Sequence, residues 1–151
     1  MKNDRVPNIP RAGIVPYIWD DKKQDYIMLF MVPSLSKYGG PQIQIGKGGV
    51  DKGESVLQAA TREGKEELGL KKSNFLEKPF ELGKYSQGSG DSLYYMTVYA
   101  VEIKDKKDFN KPHFETKFTT WATGARFAEI GAKRHKAIID ELTKLLKSYR
   151  E

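Results

Sequence analysis

One stretch of this chain is patterned for a helix, and β-prone runs flank it on both sides. Between residues 54 and 68, Leu57, Ala60, Gly64 and Leu68 recur every three or four positions, the spacing of one helix face, and Gly69 supplies a C-terminal stop. Ahead of it, residues 14–19 and 26–32 are β-branched and aromatic runs split by the polar turn 20–25. Residues 33–41 form a loop, and the alternating Gln42-Ile43-Gln44-Ile45 predicts a short strand with one buried face. After the helix, residues 75–86 read as extended and interrupted near Pro79, and 92–103 is the most β-prone run in the chain. A charged loop follows over 104–117, then a short strand at 118–121. Ile138, Leu142, Leu145 and Tyr149, widened by Ile139 and Leu146, predict a closing helix that packs on the sheet. Strands with two helices, the first central in sequence, give a mixed α/β (α+β) domain over residues 1–151.

Composition sets outer limits. The chain has 151 residues, 38% hydrophobic and 30% charged, which suits one soluble domain with its own core. It contains no cysteine, so disulfides and thiolate metal sites are excluded. No apolar run reaches the roughly 20 residues of a membrane span, and the polar N-terminus has no signal-like apolar segment, so the expected compartment is the cytoplasm. The net charge of +6 favours polyanionic partners such as nucleotides or nucleic acid.

The chemistry concentrates in residues 48–70. Gly46, Gly48, Gly49 and Gly53 read as a turn region in which glycine can take positive φ. Within the helix, Glu63, Glu66 and Glu67 stand at i, i+3 and i+4, so their carboxylates share a face. Like charges at that spacing repel, and a hard divalent cation with oxygen preference relieves the repulsion while pairing with substrate phosphates.

The spacing resembles the Nudix box, G-x5-E-x7-R-E-U-x-E-E-x-G-U, in which U is a bulky aliphatic residue. Gly48, Glu54, Arg62, Glu63, Glu66, Glu67, Gly69 and Leu70 match; Gly64 stands where the family usually places an aliphatic side chain. The resemblance implies an α/β/α sandwich with a mixed β-sheet, the box helix on one side and the C-terminal helix on the other. It implies a hydrolase that splits a nucleoside diphosphate linked to another group, using Mg²⁺ or Mn²⁺. Glu66 and Glu67 would be the main metal ligands, with Glu63 a further ligand or the base for water, and the backbone carbonyl of Lys47 completing part of the coordination. Arg62 and Glu54 would pair to fix the loop against the helix.

Beyond the box, Glu115 is the candidate for an extra ligand or base in the loop, ahead of Glu102 and Glu81, and His113 is a candidate acid-base group. Tyr17, Phe30 and Trp121 are candidates to stack on a base or ribose. Lys47 is a substrate-binding candidate, as is Tyr85, which stands 15 residues beyond Leu70, near the place where dinucleoside polyphosphate hydrolases often carry a tyrosine. Gly46-Lys47-Gly48-Gly49 resembles the variants Pro-Lys-Gly-Gly and Pro-Gln-Gly-Gly, with Gly46 in place of proline. The expected substrate is a dinucleoside polyphosphate or an ADP-ribose- or FAD-like nucleotide. An RNA 5′ end is the alternative, and a non-catalytic nucleotide- or nucleic-acid-binding module is the reading from another class. A homodimer is the assembly expected should the chain self-associate.

Overall fold

The computed structural model describes residues 10–35 and 40–151. Strands β1 (Arg11–Asp20) and β2 (Asp25–Pro33) form an antiparallel hairpin, pairing from Tyr17↔Met28 to Asp20↔Asp25. The Asp20 carboxylate closes the turn by accepting the Lys22 and Lys23 N–H groups at 2.9 and 3.1 Å. A short strand β3 (Gly46–Gly49) pairs with the start of β1, and the helix α1 (Val56–Leu68) follows. Strands β4 (Phe80–Gln87) and β5 (Tyr94–Glu102) pair antiparallel, and β6 (Thr116–Ala122) lies along β2. Two helices, α2 (Gly124–Ile130) and α3 (Lys136–Ser148), close the chain. The sheet has six strands in the order β4-β5-β1-β2-β6 with β3 attached to β1, and the β1–β5 pair is its parallel element.

Each face of the sheet carries its own core. Ala12, Ile14, Leu29 and Met31 pack with Ala59, Ala60, Leu68 and Leu70 beneath α1. Val15, Phe30, Met96 and Val98 pack with Ile138, Ile139, Leu142 and Leu146 beneath α3. Alternation along β1 produces this split, because neighbouring residues point to opposite faces.

Several sequence expectations change here. Gly46, Gly48 and Gly49 lie in a strand rather than a turn, and of the four glycines only Gly53 has positive φ, at 81°. Their value is absence of bulk: a Cβ on Gly46 would come within 2.9 Å of Leu68 on α1. Residues 42–45 form isolated bridges to Met31 and Gly131 instead of a strand, and Gln44 is buried along with Ile43 and Ile45. Helix α1 starts two residues later than expected, because Ser55 caps it with a capping box to Gln58. Helix α2 was not foreseen; Thr123 caps it by accepting the Arg126 N–H at 3.1 Å, a cap signal with only one apolar turn behind it. Tyr149 lies beyond the end of α3 and is exposed, so the stripe stops at Leu146.

Gly64 faces the sheet. A Cβ there would sit 2.9 Å from Ile14 and 3.1 Å from Leu70, so these two side chains fill the space that an aliphatic residue would take. The helix-interior glycine costs about 1 kcal/mol of propensity relative to alanine. Overpacking a filled site costs about 1–3 kcal/mol. The propensity gained by replacing glycine offsets part of the overpacking, so Gly64→Ile should lower stability by about 1–2 kcal/mol in denaturant titrations, and adding Ile14→Ala should recover part of that loss. A stable single variant would show that α1 does not sit this close to β1.

His135 ties the turn before α3 to the segment leading into β3. It is fully buried, and its Nδ1 accepts the Ile45 N–H at 3.2 Å. Burial, reinforced by the positive charges of Lys47 and Arg134, pushes its pKa down to about 2. The unfolded chain takes up this proton near pH 6.5, whereas the folded chain does not until about pH 2, so the contribution is intact above pH 6.5 and shrinks as pH falls. Stability should drop by about 1.4 kcal/mol per pH unit below 6.5 from this group alone. Glu63 and Glu67, both pushed up, act in the opposite sense, so His135 is isolated by difference. Denaturant midpoints at pH 7, 6 and 5 should converge between wild type and His135→Asn as the pH falls; a constant gap would refute the assignment.

Candidate active site

The site is organised around the contact between β3 and α1. A Cβ on Gly48 would overlap the Glu63 carboxylate, so glycine is what lets the acid lie against the strand in this position. Arg62 ties the two elements together. Its guanidinium donates to Glu54 at 2.9 and 3.1 Å, to the Gly49 carbonyl at 2.8 Å and to Glu63 at 2.8 Å. Glu66 lies 3.4 Å and Asp51 3.5 Å from the same group. The paired guanidinium holds Glu54 below the usual carboxylate range, and Arg62 itself is raised, first by its bond to Glu54.

The neighbouring acids behave differently. Glu67 Oε1 accepts the Lys47 backbone N–H at 2.9 Å, which fixes this carboxylate at the edge of β3. Burial raises its pKa, and Glu115 and Glu66 add to the rise. Burial, together with repulsion from Glu67 and Glu66, pushes Glu63 up to about 7. These are acids short of compensating positive charge, despite Arg62. Glu115 is near enough to act on Glu67, and the loop that bears it is pinned to the end of α1: the His113 N–H donates to the Glu66 carbonyl at 2.7 Å, and Thr116 Oγ1 to the Glu67 carbonyl at 2.9 Å. Gly69, at φ 72°, ends the helix where a Cβ would strike the Asn110 carbonyl.

The donor set is all oxygen, as hard divalent cations prefer. Among the described residues no three acidic or histidine side chains close on one point, because Glu63 and Glu66 lean to Arg62 while Glu67 leans to Lys47. The chemistry fits a cation, and the acids would have to turn from Arg62 to enclose it.

Side chains alternate along β3, so Lys47 points to the face opposite Gly46 and Gly48. There its Nζ donates to Gln44 Oε1 at 3.1 Å, and Arg134 donates to the same oxygen at 3.1 Å. Burial, with Arg134 and Arg11 nearby, lowers the Lys47 pKa to about 8 against the pull of Glu67. Arg11 lies over the Tyr94 ring at 4.6 Å, on this same α3-facing side of the sheet.

The remaining sequence candidates separate. Tyr85 is half-buried on β4, in register with Met96 beside Arg11, and its hydroxyl bonds Glu141 on α3. Tyr17 is not brought to the carboxylates: it is buried on the α3 side in edge contact with Tyr26 and Phe80. Phe30 packs on Phe127 in that core, and Trp121 packs on Phe109 on the α1 side. Glu102 lies near Tyr17, Glu81 is exposed on β4, and His113 contributes its backbone. The sequence assigns no site role to Gln44 or Arg134, since nothing links residues 90 apart before the chain is folded. A cavity of about 960 Å³ between α1 and the segment after it touches the site only at Arg62.

No curated protein matches the sequence. Among solved structures, a C. elegans Ap4A hydrolase binary complex shares 18% identity over 93% of this chain and 98% of that chain, with a TM-score of 0.77. A putative NUDIX hydrolase from Listeria monocytogenes shares 17% identity over 92% of this chain and 94% of its own, at TM-score 0.72. The NUDIX domain of Shewanella oneidensis NrtR, crystallised with ADP ribose, shares 14% over 92% and 88%, at TM-score 0.69. Identities this low speak to fold, and the fold is the α/β/α sandwich with box helix and C-terminal helix on opposite faces. The NUDIX domain family model matches residues 8–145, nearly the whole chain, and so the protein belongs to the Nudix hydrolases, the pyrophosphohydrolase family.

Proposed function

We propose that the protein hydrolyses a phosphoanhydride in a nucleoside diphosphate linked to another moiety, with dinucleoside polyphosphates as the preferred substrates. The observation that carries this reading is the β3–α1 contact, in which Glu63 lies against Gly48 and Glu67 is fixed by the Lys47 N–H. An acceptor-only carboxylate cluster on one side of a strand, with a lysine on the other, suits a substrate whose phosphates lie between metal and cation. ADP-ribose- and FAD-like nucleotides are the next candidates.

Glu66 and Glu67 would hold a divalent cation, Mg²⁺ or Mn²⁺, with the Lys47 carbonyl, and Glu115, whose charge acts on Glu67, would assist from the loop. When bound, the cation would polarise the phosphoryl oxygens and make a bound water more acidic. Glu63 would either complete the coordination or take the proton of the attacking water. Arg62 keeps α1 and the glycine strand in register, so its role is positioning. Water adds to one phosphorus as the bridging oxygen leaves, yielding two phosphorylated products.

Glu67→Gln and Glu66→Gln should each lower turnover by more than tenfold, about 1.4 kcal/mol or more of barrier, while a native far-UV spectrum and a cooperative thermal transition show that the protein stays folded. Full activity in both, with stoichiometric metal binding lost, would overturn this assignment. A panel with Mg²⁺ and Mn²⁺ should show phosphorylated products from diadenosine polyphosphates ahead of ADP-ribose, FAD, NADH, nucleoside triphosphates and 5′-triphosphate or capped RNA. Release from RNA alone would shift the assignment to RNA 5′ ends. Salt-sensitive RNA binding without turnover would favour a binding module.

A further inference from the structure

The α3-facing side of β3 carries a group of cations that the carboxylate chemistry does not require. Lys47 and Arg134 both donate to one oxygen, Gln44 Oε1, each at 3.1 Å. Gln44 is fully buried, its own main chain is bridged to Met31, and its Nε2 donates to the Gln42 carbonyl at 3.2 Å. The shared oxygen is therefore held rigidly, and it fixes the spacing of the two cations.

The acceptor's chemistry is the informative point. A glutamate at position 44 would form a buried ion pair and cancel charge; the carboxamide orients both donors and adds no negative charge. Arg11 lies close enough to add to the positive field around Lys47, and on the neighbouring strand it stands in register with Gly49, two residues beyond Lys47. Across β3, the Lys47 N–H bonds Glu67, so the cations and the carboxylates are separated by the thickness of one strand. Lys47 is the buried member of the group, the charges of Arg134 and Arg11 disfavour its charged form, and an anion held at this edge would favour it. Guanidinium and ammonium groups set side by side match the oxygens of a phosphate.

We infer that Lys47 and Arg134, set by Gln44, form an anion subsite that takes a phosphate of the substrate lying beyond the scissile pair. The inference rests on the hydrolase reading above and deepens it: the subsite selects polyphosphate chains over a diphosphate flanked by a neutral sugar. Arg134 is then a specificity residue and Gln44 a positioning residue, and neither belongs to the box.

Binding tests the subsite separately from turnover. Calorimetry of the metal-free full chain with inorganic tripolyphosphate should show one site, weakened about tenfold or more by Arg134→Gln and by less than about threefold by Arg134→Lys. Gln44→Glu, nearly the same shape but negatively charged, should weaken it at least as much. Thermal transitions report whether each variant is folded, and Arg134 is exposed enough for its replacement to be tolerated. In turnover, Arg134→Gln should raise KM for diadenosine tetraphosphate about tenfold with kcat little changed, while kinetics on ADP-ribose stay within about twofold. Equal tripolyphosphate affinity in wild type and folded Arg134→Gln, or no binding by wild type, would overturn the inference. So would an equal loss on ADP-ribose. If no substrate is cleaved but tripolyphosphate binding follows these charges, the subsite stands and the hydrolase reading fails.

Discussion

Everything in the site depends on how closely one short strand approaches one helix. Gly48 leaves room for the Glu63 carboxylate, Gly46 leaves room for Leu68, and Gly64 lets α1 settle onto Ile14. Three missing side chains thus bring backbone and helix together along one line, and Arg62 fastens it by reaching Glu54, the Gly49 carbonyl and Glu63 at once. Hydrogen bonds to an ionised partner are the stronger kind, and a planar guanidinium with several donors can serve a loop, a strand and a helix together. Without that closeness the acids of α1 would be an ordinary solvated helix face.

The same contact sorts charge. Because side chains alternate along β3, the carboxylates of α1 meet one face while Lys47 projects from the other toward Gln44 and Arg134. Between these zones lies one strand of backbone, whose Lys47 N–H is itself bonded to Glu67. His135, buried and neutral, stands beside the cations and bonds Ile45 just ahead of β3. Its neutrality follows from its surroundings: burial and two neighbouring positive charges both disfavour a further proton. The turn before α3 is thereby tied to the segment leading into β3, although α3 itself packs on the opposite side of the sheet from α1.

Much of the fold was legible in the residues. The helical stripe of Ala60, Gly64 and Leu68 and the β-branched runs of β1, β2 and β5 needed only their periodicity to be read, and those elements formed. The spacing from Gly48 to Leu70 pointed to the family that the whole-chain match also identifies. Other features were misread because the sequence signal admits two physical causes. Glycine serves both turns and close approaches, and at positions 46, 48 and 49 it was the second. Aromatic residues on strands serve both stacking and cores, and here Tyr17 and Phe30 lie in the core beneath α3 while Trp121 packs, half-buried, against the core beneath α1. Helix α2 is so short that its Thr123 cap is most of its signal.

The sequence by itself determined the acidic face of α1, the glycines that could approach it, and the strand pattern that would support it, because these depend on residues a few positions apart. Tertiary structure alone decided that Gly64 is filled by Ile14 and Leu70, and that Glu115 comes to stand near Glu67. It alone brought Arg134 to Gln44 and Lys47 across most of the chain. The physical reason is range: periodicity and capping act along the backbone, whereas the field at a site is the sum over whatever side chains folding places within a few ångströms.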